Sequence, residues 1–112
     1  MRKDDIDQTY LLLLKNKFLD VSQWADAAGY SRAHFTRMVK ARYGVPPKTI
    51  VDTATMGRIA LAVREYPGAS ATELAAKAGF AEYGSMAKFV RRKLDMTVTE
   101  FRRKVLANTA GY

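Results

Sequence analysis

The sequence predicts an all-α protein, with two helix-turn-helix subdomains joined by a long linker helix and about seven helices in all. Three observations lead there. Apolar residues recur at helical spacing almost throughout, and no alternating strand pattern is sustained. Capping residues and glycines punctuate the chain at short intervals. The second half also repeats the first: WADAAGY (24–30) aligns with LAAKAGF (74–80) at an offset of 50, and FTRMVK (35–40) with MAKFVR (86–91) at an offset of 51. Two copies are too few for a stacking array, which usually needs about three or more.

Each element has a local reason. Asp5 or Asp7 can open a first helix through Tyr10, Leu11, Leu14 and Phe18. Asp20 with Gln23 is a capping pair for a short second helix bearing Val21, Trp24 and Ala25, which Gly29 ends. Ser31 caps the next helix, running to about Tyr43 and stopping at Gly44. Pro46-Pro47 breaks the chain, and Pro47 suits the first turn of a long helix ending near Tyr66. Pro67-Gly68 then marks a turn, Ser70 and Glu73 form a capping box, and Gly79 closes that helix as Gly29 closed its counterpart. A further helix spans about Gly84 to Leu94, and Thr97 with Glu100 caps a last one bearing Phe101 and Val105. The expected organisation is a first subdomain over 5–46, a linker helix over 47–66, a second subdomain over 67–107 and a short tail over 108–112.

Charge is focused. The chain of 112 residues carries a net +8, and two stretches hold all of it. Residues 31–44 contain Arg32, Arg37, Lys40 and Arg42 with no acid, and residues 84–94 contain Lys88, Arg91, Arg92 and Lys93 with no acid. A phosphate backbone rewards cations gathered on one surface, through counterion release. With no cysteine in the chain, disulfides, thiolate zinc sites and thiol nucleophiles are excluded. The aliphatic run Leu11–Leu14 is far short of a membrane span or a signal-peptide core. A cytoplasmic, nucleoid-associated location is therefore expected, without membrane attachment.

On a helical wheel, Phe35, Met38 and Val39 share the inner side of the first basic helix. Arg32, Ala33, Thr36, Arg37 and Lys40 lie opposite. In the second copy Met86, Val90 and Leu94 turn inward, whereas Gly84, Lys88, Arg91 and Arg92 face out. Cations mixed with small side chains allow a helix to approach closely inside a major groove. Arginine can hold guanine O6 and N7 bidentately, while threonine and alanine can meet a thymine methyl. An idle surface normally mixes charge signs, and here two matched faces do not.

These residues resemble a known family. Ala25, Gly29-Tyr30-Ser31, His34-Phe35, Arg37-Met38-Val39-Lys40, Gly44 and Pro47 look like the first half of the AraC/XylS DNA-binding domain. Ala75, Gly79-Phe80, Met86, Lys88, Val90-Arg91, Thr97 and Phe101-Arg102 look like the second half. The resemblance covers about residues 8–105. It implies two recognition helices entering successive major-groove segments of double-stranded DNA, in a bacterial transcription regulator similar to the stand-alone activators of that family. It also implies Arg37 and Lys88 as base readers, with Ala33, Thr36 and Gly84 beside them and Arg32 and Ser85 completing the set. Lys40 and Arg91 are the implied phosphate contacts, joined by Ser31 and Arg92. The sequence departs from the family pattern where the second-half glycine is Asp95 and the proline is Val98. Arginine stands at Arg58, a turn beyond the usual place near Thr55.

A monomer suffices for a bipartite site, because one chain supplies two recognition helices. RNA polymerase is the protein partner such a regulator implies. The same basic faces would serve an architectural or excisionase-like DNA-binding protein, or a module docking on an acidic protein. No cofactor, metal or enzymatic activity is expected: His34 is the sole histidine, favouring a helix-flank role, and titratable groups do not converge. Trp24 reads as core, the Asp4, Asp5 and Asp7 cluster as capping, and Gly57 as a mid-helix glycine that permits close packing or adjustment. Tyr112, near Arg102 and Arg103, faintly suggests a strand-cleaving tyrosine.

Overall fold

The computed structural model describes residues 20–110, and among these residues there are six α-helices and no strand. They are α1 (Val21–Ala28), α2 (Arg32–Tyr43), α3 (Pro47–Glu65), α4 (Ala71–Lys77), α5 (Tyr83–Leu94) and α6 (Val98–Ala110). The all-α class and the paired helices α1–α2 and α4–α5 match the sequence prediction. The seventh predicted helix, the Asp4, Asp5 and Asp7 cluster and Tyr112 lie outside the described residues. The chain divides into two compact units, and the boundary falls between Thr55 and Met56, inside α3.

The first unit is built on Trp24. Its indole is fully buried and meets the Phe35 ring edge-on at 5.0 Å, a geometry the aromatic quadrupoles favour. Val21, Ala25, Ala28, Val39 and Val51 complete that core. Asp20 caps α1 by accepting from the Gln23 N–H at 2.9 Å. Gly29 then adopts φ 81°, a left-handed conformation that glycine reaches without a Cβ clash. The Tyr30 N–H returns to the Ala25 carbonyl at 3.1 Å, and the chain reverses into α2. Phe35 and Val39 are the fully buried residues of α2, and Met38 and Tyr43 pack against the core while only partly buried.

The second unit repeats that turn. The Phe80 N–H donates to the Ala75 carbonyl at 2.9 Å, and Gly79 takes φ 91°. Its core gathers Ile59 and Val63 from α3, Leu74 from α4, Met86, Phe89 and Val90 from α5, and Phe101 from α6. Val39, Met86 and Val90 are fully buried. One inward assignment fails: Leu94 is 39% exposed. It is the last residue of α5, and the core there is filled by Phe89, which packs against Phe80 at 6.0 Å. Asp95 follows at φ 54°, the only non-glycine residue with positive φ among the described residues. This conformation costs an L-residue roughly 1–2 kcal/mol.

Two arginines fasten the second unit from within. Arg102 donates to the Pro67 and Ala69 carbonyls at 3.0 and 2.8 Å, which ties α6 to the turn after α3. Arg58 donates from Nε to the Ala78 carbonyl at 3.4 Å, next to the end of α4. Burial pushes its pKa below the ordinary arginine value.

Gly57 does not serve close packing, because a Cβ there would meet no atom within 4 Å. Gly57→Ala should therefore raise stability by about 1 kcal/mol, measured as a higher urea midpoint at unchanged slope. The two predicted capping boxes are formed, with Ser70 and Glu73 exchanging bonds of 3.1 Å and Thr97 and Glu100 bonds of 3.0 and 3.1 Å. The backbone N–H of Ser70, then its hydroxyl, holds the Glu73 carboxyl below the ordinary carboxylate range. Thr97 does the same for Glu100. A depressed carboxylate contributes stability above its unfolded pKa and loses it as pH falls through the folded one. Thermal melts should show stability declining through and below the ordinary carboxylate range. Glu73→Gln with Glu100→Gln should flatten that decline.

Candidate nucleic-acid interface

In the first unit, burial of Phe35 and Val39 fixes which side of α2 is left for solvent. Arg32, Ala33, Arg37 and Lys40 are exposed on it, and Thr36 is partly exposed. Ser31 caps the helix by accepting from the His34 N–H at 3.3 Å. That bond uses an acceptor lone pair, leaving the hydroxyl proton for an outside acceptor. The Thr36 hydroxyl donates to the Arg32 carbonyl at 2.9 Å, which fixes its rotamer. The His34 ring lies against Tyr30 at 5.0 Å, on the helix flank.

The cations on this face are not equivalent. Arg32 donates from Nη1 to the Ser22 hydroxyl at 2.9 Å, so its head is drawn back onto α1. Sequence reasoning put Arg32 among the base readers and did not find Ser22. Ser22 lies one position before Gln23 in a polar stretch, and no spacing rule pairs it with Arg32 across the turn. The side chains of Arg37 and Lys40 form no hydrogen bond or ion pair with the described residues.

In the second unit, Met86, Phe89 and Val90 are buried, and α5 turns Gly84, Ser85, Lys88, Arg91 and Arg92 outward. A Cβ built on Gly84 would meet only the Glu82 Oε1, at an ordinary 3.8 Å. The fold does not demand a glycine there, so the bare backbone is available to an approaching ligand. Lys88 has no hydrogen bond or ion pair among the described residues. Arg92 lies over the Phe89 ring at 5.6 Å, a cation–π contact that still leaves its N–H donors for other partners. Arg91 pairs with Asp95 at 3.6 Å. A groove of about 410 Å³ runs beside these cations, floored by Tyr83, Ala87, Met96 and Val98.

Chemically, each unit offers a helix with an apolar back, a cationic front and small side chains between the cations. Such a surface can lie in a groove and hold phosphates or base edges. Among the described residues, no three potential metal-ligating side chains come together, and no helix is long and apolar enough to cross a membrane.

Comparison with known proteins agrees with this geometry. A family model described as a helix-turn-helix domain matches residues 24–104, which spans both helix pairs. Among solved structures, the crystal structure of the DNA-binding domain of AdpA, the global transcriptional factor, in complex with a target DNA is similar in fold. It matches with a TM-score of 0.71 and 23% identity, over 92% of this chain and 94% of that chain. No curated protein sequence matches the chain. With its paired helices, its repeated glycine turns and a family match over most of its length, the chain belongs to the AraC-type helix-turn-helix family of DNA-binding transcription regulators.

Proposed function

We propose that the protein recognises a bipartite site in double-stranded DNA with α2 and α5, each inserted into one of two successive major-groove segments, and regulates transcription from it. The observation that carries this reading is the pair of basic outward faces on α2 and α5, each formed by a stretch without an acid and presented by the same glycine turn after a short helix. A fold shared with a domain crystallised on its target DNA supports it. One chain brings both helices, so a monomer is sufficient on DNA. The protein acts on the nucleoid in the cytoplasm, with RNA polymerase as the partner through which occupancy becomes activation.

The roles divide by chemistry. Arg37 and Lys88 read bases, flanked by Ala33, Thr36, Gly84 and Ser85. Arg32 joins them once released from Ser22. Ser31, Lys40, Arg91 and Arg92 hold phosphates. A lysine reads guanine less strictly than an arginine, because it is a point charge without a planar fork.

Arg37→Ala should cost roughly 1–3 kcal/mol on the best site and flatten base preference within one block. Lys88→Ala should do the same in the other block, less severely. Lys40→Ala should weaken binding to all sequences alike, Arg91→Ala should weaken the best site somewhat more than random DNA, and each should reduce the salt slope by about one. With about six phosphates met, the parent slope of log affinity against log salt should lie near −5. Base-preference profiles at fixed salt test these roles, and a parent slope shallower than about −2 would mean the faces are solvated surface.

Gly84→Ala separates fold from contact. The fold has room for the methyl group, so circular dichroism melts should show no loss of stability. Affinity for the second block should fall, because the added Cβ holds α5 away from the base edges. Unchanged affinity would remove Gly84 from the interface.

A further inference from the structure

We propose that Asp95 is a specificity-determining positioning residue: its carboxylate biases the Arg91 guanidinium toward the end of α5 and penalises DNA bound in other registers. The inference rests on the DNA-binding reading above. It begins with an internal control. At the repeat offset of 51, Asp95 stands where the first copy has Gly44, and Arg91 stands where it has Lys40. Both cap residues are left-handed, Gly44 at φ 80° and Asp95 at φ 54°. Both donate the same closing bond, Gly44 N–H to the Lys40 carbonyl and Asp95 N–H to the Arg91 carbonyl, each at 2.9 Å. The backbone job is thus done equally well by glycine.

For the fold, aspartate is the poorer choice twice over. An L-residue is strained in this conformation, where glycine is not. A carboxylate at a helix C-terminus also faces the negative end of the helix dipole. What aspartate adds is one contact, Oδ1 to the Arg91 Nη1 at 3.6 Å. The side chains are 62% exposed at Arg91 and 97% at Asp95, so this ion pair returns little stability. Its effect falls on what Arg91 can do.

Arginine has five N–H donors in a rigid fork, so an arm held toward Asp95 leaves the rest of the fork for a phosphate. In the register set by base contacts from Lys88, Arg91 reaches its phosphate with that orientation already made. In a sliding or misregistered complex the phosphate must approach from elsewhere. It then meets the carboxylate at short range, well inside the Debye length, and is repelled. Asp95 therefore lowers affinity for random DNA while leaving the best site nearly untouched.

The test compares the parent protein with Asp95→Asn, which removes the charge and tolerates left-handed backbone, and Asp95→Gly, which restores the first copy's residue. Each is titrated with a duplex selected from a randomised pool and with a random-sequence duplex of equal length, over a range of salt. Both variants should melt at or above the parent temperature. Asp95→Asn should bind the random duplex about three-fold more tightly, within the range set by an exposed ion pair. Its salt slope on that duplex should steepen by about one. Affinity for the selected duplex should change less, so the ratio of the two falls. In an Arg91→Ala background the same substitution should shift the ratio less, because only the direct repulsion between carboxylate and phosphate remains.

An equal gain on both duplexes, no gain on either, or an effect just as large without Arg91 would overturn the role of Asp95 while leaving DNA recognition standing. A parent protein that binds neither duplex would overturn both.

Discussion

A left-handed glycine after a short helix is the constraint on which the rest of each unit depends. At Gly29 and Gly79 the chain leaves α1 and α4, and one backbone bond locks the reversal: Tyr30 to Ala25 in the first unit, Phe80 to Ala75 in the second. Residues with a Cβ strain at this conformation, so glycine at these two positions sets the angle at which α2 and α5 depart. Once that angle is set, Phe35 and Val39 fall on the Trp24 side of α2, and Met86 and Val90 on the Leu74 side of α5. The basic faces are what remains outward. The direction in which each candidate contact on α2 and α5 points is thus a consequence of the turn before its helix.

The two units secure their helices differently. In the first, one large ring pair, Trp24 on Phe35, organises a small core with alanines around it. In the second, aliphatic residues pack with Phe89 and Phe101, and arginine side chains reach backbone carbonyls at helix ends and turns. Helix termini leave carbonyls without intrahelical partners, and satisfying them from a neighbouring element removes a desolvation cost. Arg58 and Arg102 do this work in a protein whose other arginines are concentrated on the outer faces. Basic residues here divide into those that build the fold and those that are kept for a ligand, and sequence position alone does not distinguish them.

Focusing like charges on one face carries its own cost. Four cations within one helix repel one another, and the repulsion is relieved only when phosphates arrive or when local partners intervene. The structure shows such partners: Ser22 for Arg32, the Phe89 ring for Arg92, and Asp95 for Arg91. Arg37, Lys40 and Lys88 have none among the described residues. The free protein therefore presents a graded surface, with some cations already oriented and others waiting.

Much of this was legible in the sequence, because it rests on local rules. Asp20, Ser31, Ser70 and Thr97 cap the helices they were expected to cap, since an N-cap needs only a short polar side chain and the N–H groups after it. Gly29, Gly44 and Gly79 are left-handed where the repeat placed them. Helical periodicity separated Phe35, Val39, Met86 and Val90 from the cationic side, because a 3.6-residue period fixes a face without knowledge of its neighbour. Tertiary structure decided the rest. Leu94 is exposed and Phe89 buried because the end of α5 and the packing of Phe80 determine which apolar residue is covered. Arg32 bends back to Ser22, Arg58 to Ala78 and Arg102 to Pro67 and Ala69 because those partners are brought near only when the chain has turned. Periodicity tells a residue which way to face; it does not say what will be there to meet it.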